Sequence, residues 1–595
     1  MKTLKLFNAV LDYKSSDKPF SSKPVINNEL GIIIEPNAVW AENQIVDYYK
    51  KEKLSGNDLN KTFHKSWKKI KESPRFELLL HQILHYTSTY GSNFQDEIYI
   101  PTETLKVPEL KELKYKVIKA YTKDELIDKS FCILNSGIAL DEKTIDDIIS
   151  LLVEVLGYKF TGNENIKNKE AQARLAELYN IYPENPVEFL RFILYRTTDS
   201  SLLIKSPETI NSIKHSSFNP SPLFHKYGLT KLSEIFNRFK PLFLAYKNKC
   251  HSTINKISKL SKKNHKPMVS NPLNDVTNRK LVSEDMHWLK NATSFALLKA
   301  LQACDSRIKG QNVFIYKIRN GKSWTKDNNE TNIETCKYNY NFIIEYLKTI
   351  LSFENKTFYL PDDIVYSIPT SEKMFAGNIP LGSRFYGSKL AIGIYWKNEG
   401  GAIDLDLSAI NIGGKVGWNS KYSQNNGKLM YSGDITNAPN GAVEYLHAKN
   451  GLKEPSIILN NVYAGASNSK YKIIVGKGTN LSVEYMMNPN NLFVETDCET
   501  VQKQTIIGII IPYKLKQCFT ILNMGLGNMH VSSGSSLKSL EALYQQWKDP
   551  LTLNTLVKML GGKIIKNKDE ANYNLSLDKL EKDTFINLLK PTKQK

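Results

Sequence analysis

Two hydrophobic periods divide this 595-residue chain. In the first half, apolar residues recur every three or four positions. Leu78, Leu79, Ile83 and Leu84 do so, as do Ile145, Ile148, Ile149, Leu152 and Val155, the spacing of one helical face. Pro183, Pro186, Pro207, Pro220 and Pro222 cut this region into short helices. The pattern predicts an α-helical array over residues 46–310 with no clean repeat period. Residues 1–45 read as an N-terminal extension, in which Gly31-Ile32-Ile33-Ile34 has strand character.

The period then changes. An apolar run at 313–319 meets Asn320-Gly321, a strong hairpin signal between β-prone stretches. A helix follows over 340–352, so 311–359 reads as a hairpin plus a connecting helix. Residues 360–535 are glycine-rich, with strand-length runs at 390–396, 456–462, 471–475 and 505–511. These predict an antiparallel β-sandwich. Helices are expected again at 537–547 and 551–560, with a last amphipathic helix at 575–589. The fold class is therefore multidomain α plus all-β: an N-terminal α-helical array, an antiparallel β-sandwich and a short C-terminal helical segment at 536–595.

No apolar run approaches the roughly 18 residues a membrane span needs, and Asp12 arrives before any secretory core forms. Neither a signal peptide nor a membrane partner is expected. The six cysteines (Cys132, Cys250, Cys304, Cys336, Cys498, Cys518) include no CxxC pair, which points to a reducing, cytoplasmic setting without a zinc site or disulfide framework.

Charge changes the picture by its placement. The chain carries a formal charge of +20. Residues 201–280 hold 15 Lys or Arg against 3 Asp or Glu, more than half of that surplus. Cations interleave with aromatics there: Lys231, Phe236, Arg238, Phe239, Lys240, Phe243, Tyr246, Lys247 and Lys249, then Lys256, Lys259, Lys262, Lys263 and Lys266. On a helix over 252–264, Ile254, Ile257 and Leu260 mark one face and the lysines the rest. Such lysines can neutralise phosphates of RNA or another polyanion, and exposed aromatics can stack on bases. Alternatively the phenylalanines are core and the lysines a solvated face. Arg319 and Lys322 on the hairpin extend the basic set. A helical array with a basic stretch is loosely similar to TROVE modules, the RNA binders of Ro ribonucleoproteins.

The most informative segment runs Tyr395-Trp396-Lys397-Asn398-Glu399-Gly400-Gly401-Ala402-Ile403-Asp404-Leu405-Asp406-Leu407-Ser408-Ala409. On a strand, Asp404 and Asp406 share one face and Leu405 and Leu407 the other. Gly414-Lys415-Val416, then Tyr431-Ser432-Gly433-Asp434-Ile435-Thr436-Asn437, then Gly441-Ala442-Val443-Glu444 follow. Asp404, Asp406, Asp434, Asn437 and Glu444 supply oxygens of the kind Ca²⁺ takes. The alternative is that the two aspartates cap turns or accept backbone N–H bonds at a strand end.

The order of these pieces over about 388–480 resembles the TerD (tellurium-resistance) family. That resemblance implies a calcium-binding β-sandwich tied to stress responses. The chain departs from the family where Asn437-Ala438-Pro439-Asn440-Gly441-Ala442-Val443-Glu444 replaces a denser acidic run, which weakens attraction for a divalent ion.

Catalytic motifs are poor. His81-Gln82-Ile83-Leu84-His85 has metalloprotease spacing but Gln82 in place of the glutamate that activates water. Gly525-Leu526-Gly527 lacks the third glycine of a dinucleotide loop. The reading is a non-catalytic binding protein. A structural or assembly protein that oligomerises, and an enzyme of unrecognised type, stay open beside it.

Overall fold

The structure is a computed structural model. It describes residues 2–12, 23–56, 58–62, 115–164, 166–266, 292–317, 322–327, 332–418, 420–465, 469–478, 489–500, 503–526 and 549–591, with single positions 74, 276 and 487.

The first residues are not an appendage. Strands Ala9–Leu11, Lys116–Tyr121, Ile32–Ile34 and Val25–Asn27 form a four-stranded sheet in that order, the first three parallel. Ile32, Ile34 and Ile118 bury against Ile45 and Tyr49 of helix Glu42–Glu52. Lys116–Tyr121 lies in the stretch read as helical. Its six residues are too few for their alternation to stand out, and its partners lie over eighty positions upstream.

Helix Lys123–Leu134 starts in a capping box, Thr122 with Glu125. Helix Glu142–Ser150 runs into a π turn, Leu151–Val155. From Lys169 onward the helices close around an apolar core of their own. It holds Phe189, Phe192, Phe224, Phe236, Phe243, Tyr246, Ile254 and Ile257. Prolines start several of them as the sequence suggests. Pro186 follows the Asn185 cap, Pro207 follows the Ser206 cap, and Pro241 opens Lys240–Ala245. Helix Lys169–Tyr179 joins this lobe to the main core, with Leu175 in one cluster and Ala176 in the other.

Two sheets make the C-terminal half. The larger runs Gly414–Gly417, Asp404–Asn411, Ser456–Ala464, Gln504–Tyr513, Lys516–Leu526, Arg384–Gly387, Ile364–Val365. Hairpin Val313–Lys317/Lys322–Asp327 adds to it through parallel pairing of Lys322 with Gly525. The hairpin thus extends the scaffold. The second sheet runs Ser423–Gln424, Leu429–Tyr431, Ala442–Lys449, Lys389–Trp396, Lys470–Lys477, Leu492–Glu499, all antiparallel. Ile392, Ile394, Leu405, Leu407, Leu446, Phe519 and Ile521 share the core between them.

The expected helix at 575–589 needs correction. Strand Tyr573–Asn574 pairs with Thr357–Tyr359, a 3₁₀ turn covers Leu577–Lys579, and only Thr584–Leu589 is helical. Leu575, Leu580 and Phe585 are buried in the shared core, so tertiary packing set their spacing. Helix Leu553–Met559 matches the expected 551–560, and 537–547 lies outside the described residues.

Partly buried ion pairs tie the parts together. Glu372 accepts the Asp141 N–H (2.6 Å) and the Thr144 hydroxyl (2.5 Å) and holds Lys582 Nζ at 2.6 Å. Lys129 lies between Glu581 (3.2 Å) and Asp583 (3.0 Å). No helix among the described residues is long and apolar enough to cross a membrane.

Candidate metal centre and basic face

Strand Asp404–Asn411 pairs along its length with Ser456–Ala464. On its other side the hairpin partner Gly414–Gly417 covers only Ser408 to Asn411. Where that partner stops, a side chain from the opposite sheet takes over. Glu444 Oε2 accepts the Leu407 N–H at 2.8 Å, and its Oε1 accepts the Ile435 N–H at 2.9 Å. Ser432-Gly433 leads out of strand Leu429–Tyr431 to Asp434. Ser432 Oγ accepts the Tyr445 N–H (2.8 Å), and Gly433 sits at φ 111°, a conformation L side chains rarely adopt.

The result is an acidic cluster inside the protein. Asp404, Asp406 and Asp434 each place a carboxylate oxygen within 4.8 Å of the others. All three are buried, as is Glu444. Asp406 is the critical member. Among the described residues, no amide, hydroxyl or ammonium group donates a hydrogen bond to either of its oxygens, and its neighbours are Asp434, Asp404 and Glu444. Burial pushes the Asp406 carboxyl well above the usual range, and those three carboxylates push it further. Burial and Asp434 do the same to Glu444, opposed by the N–H groups of Leu407 and Ile435.

At 4.8 Å two full charges repel by roughly 3.5 kcal/mol at an effective dielectric near 20. The cluster therefore needs protons or a cation. Its donors are all oxygen, the set that suits a hard ion. One half-buried cation faces it in part. Asp406 raises the Lys415 ammonium while burial lowers it more, and Lys415 Nζ lies 4.8 Å over the Trp418 ring. Tyr422 and Tyr431, rings 5.6 Å apart, close the site. Burial and the same carboxylates push both phenols up.

The structure thus brings Asp404, Asp406 and Asp434 together and sets Glu444 against them as a brace to two backbone amides. Asn437 is engaged elsewhere, where its Oδ1 accepts from Asn398 Nδ2 at 2.6 Å. Asn398 Oδ1 in turn takes the N–H groups of Ile403 (3.1 Å) and Ala438 (3.2 Å). This brace clamps the two loops beside the cluster. Lys415, Trp418, Tyr422 and Tyr431 were not legible as site residues. Their only signal was the position of Gly414-Lys415-Val416 directly after the aspartate strand.

The basic stretch resolves into two layers. Phe236, Phe239, Phe243 and Tyr246 are core, so these four rings form no platform among the lysines. On helix His251–Asn264 and the residues after it, Ile254, Ile257 and Ser261 are buried, while Lys256, Lys259, Lys262, Lys263 and Lys266 are exposed. At about 100° per residue the four helical lysines, Lys256, Lys259, Lys262 and Lys263, fall in an arc of roughly 120° opposite the buried stripe. Lys266 pairs with Glu234 at 2.7 Å. Lys247 is exposed, and Lys249 is half-buried with Nζ on the Ile213 carbonyl at 2.6 Å. Arg319, His81, His85 and the Lys322 side chain lie outside the described residues.

No family model, no curated protein and no solved structure matches this chain.

Proposed function

We propose that this protein is a non-catalytic cytoplasmic binding protein whose β-sandwich holds a hard divalent cation, calcium by preference, between Asp404, Asp406 and Asp434. The observation that carries this reading is Asp406, a buried carboxylate that faces other carboxylates and receives no hydrogen bond from an amide, alcohol or ammonium group among the described residues. Isolated buried charges are costly, and metal coordination is one of the few arrangements that relieve them. Calcium suits the site better than magnesium because it accepts irregular oxygen cages and gives up water readily. The order of motifs from Asp404 to Glu444 supports a TerD-like, stress-related module. Calorimetry on the full chain, stripped with chelator and titrated with calcium, tests this. No heat at millimolar calcium, magnesium or manganese would refute it.

A second surface has its own support. Lys256, Lys259, Lys262 and Lys263 stand on one solvent-facing side of a helix anchored by Ile254 and Ile257. A row of this kind neutralises phosphates without reading bases, so we infer RNA or another polyanion as its partner. Filter binding with single-stranded RNA at rising salt checks it; retention indifferent to salt speaks against it.

A further inference from the structure

The two most exposed large apolar side chains among the described residues are Ile412, at 91%, and Leu515, at 84%; the next, Leu178, is at 59%. Both sit at hairpin turns of the larger sheet. Ile412-Gly413 joins Asp404–Asn411 to Gly414–Gly417, and Lys514-Leu515 joins Gln504–Tyr513 to Lys516–Leu526. The register puts both turns at the same end: Ile410 pairs with Ile457, Ile457 with Ile509, and Tyr513 with Lys516. Three strand spacings separate the two tips, about 14 Å. Ile410 (38%) and Tyr513 (47%) extend the apolar surface at their bases. Tyr513 packs on Tyr386 with ring centroids 5.2 Å apart.

Neither tip residue has a local reason to be apolar. Tight turns favour Gly, Asn and Asp. Lys514 even occupies a left-handed conformation at φ 51°, where Asn or Gly is the ordinary choice. The surroundings are cationic. Lys514 and Lys516 flank Leu515, Lys389 is exposed at the start of strand Lys389–Trp396, and Lys453 is exposed on the connection into Ser456–Ala464. Against them stand Glu454, which accepts the Gly413 N–H at 3.1 Å, Asp363, which holds Lys477 at 2.5 Å, and Asp362. Apolar tips ringed by lysines, with a tyrosine at their base, match a surface that is greasy inside and anionic at its boundary.

We propose that this end of the sandwich docks on an anionic lipid bilayer. Ile412 and Leu515 enter the acyl boundary, and Lys514, Lys516, Lys389 and Lys453 meet the phosphate headgroups. A bilayer fits better than a protein, because the tips are two separate projections and a protein partner would need a matching pit for each. A second copy of this chain would set the same lysines against one another. The surface is independent of the carboxylate cluster, which lies at the other end of the Asp404–Asn411 strand, six residues or about 20 Å from Ile412.

The test is sedimentation of the full chain with phosphatidylcholine vesicles, with and without phosphatidylserine. The protein is expected to pellet only with the anionic vesicles. Ile412→Ser with Leu515→Ser, and separately Lys514→Glu with Lys516→Glu, are each expected to weaken partitioning by about tenfold or more. Both pairs are exposed, so melting temperature stays unchanged and folding is not in question. The triple variant Lys256→Glu, Lys259→Glu, Lys263→Glu is expected to bind vesicles as the parent does. No pelleting with anionic vesicles overturns the proposal. So does binding that survives both tip variants, or that only the helix variant removes. Tip-dependent self-association without vesicle binding also overturns it, in favour of a second copy.

Discussion

Replacing Asp406 with asparagine separates a cation site from an inert acidic cluster. The substitution keeps the shape and removes one of three buried charges that lie within 4.8 Å of one another. Between full charges each lost repulsion is worth roughly 3.5 kcal/mol at that outer separation and more at shorter ones. Protons already relieve much of it in the cation-free protein, so a gain of about 1–2 kcal/mol is expected at pH 8. A sandwich of this size shifts its melting temperature by about 2–4 °C per kcal/mol, so the cation-free variant melts roughly 2–8 °C higher than the parent. Ligand works the other way. Calcium at a hundred times its Kd stabilises the parent by about 2.7 kcal/mol, or roughly 5–11 °C. In Asp406→Asn that increment falls below about 2 °C. The assay is differential scanning fluorimetry of both proteins in chelator and in calcium. Equal calcium shifts in the two proteins would refute the reasoning, as would a parent indifferent to every divalent ion tested.

Three further outcomes follow from the same geometry. Burial and the neighbouring carboxylates raise Asp406 and Glu444 above their unfolded values. Their stabilisation is therefore complete below the unfolded carboxylate pKa near 4 and is lost as pH rises through the elevated folded values. Melting in chelator is expected to fall with pH more steeply for the parent than for Asp406→Asn, and calcium is expected to flatten the parent's profile; parallel profiles count against it. Lys415→Met removes the ammonium that Asp406 attracts, so calorimetry is expected to show tighter calcium binding by about threefold to tenfold, and weaker binding would mean Lys415 helps to build the site. Glu372→Ala leaves the Asp141 amide, the Thr144 hydroxyl and Lys582 without their shared acceptor, at a cost of about 2–4 kcal/mol in chemical denaturation; a loss under about 0.5 kcal/mol would show that this junction contributes little.

Much of the fold was legible because it is local. The hairpin at Val313–Lys317 and Lys322–Asp327, the helix ending at Ile350 and the strands around Leu390, Ser456, Tyr471 and Thr505 follow from period and turn chemistry over ten or so residues. The strand Lys116–Tyr121 and the tail after Tyr573 escaped because distant partners define them. Among site residues, the two aspartates of the Asp-Leu-Asp run and Asp434 could be picked out by type and order. Lys415, Tyr422 and Tyr431 could not, since nothing in their own segments marks them as neighbours of a carboxylate.

Local pattern was enough to say where helices give way to strands, where positive charge concentrates and which oxygens are candidates for an ion. Those properties belong to short segments, whose periodicity and composition act before any long-range contact forms. Tertiary structure alone decided exposure and convergence. It turned Phe236, Phe239 and Phe243 into core and left their lysine neighbours outside. It closed Glu444 over Asp406 from the opposite sheet, and it carried Ile412 and Leu515, a hundred residues apart, to one end of the same sheet. Burial is a property of what surrounds a side chain, and in a sandwich those surroundings come from strands remote in sequence.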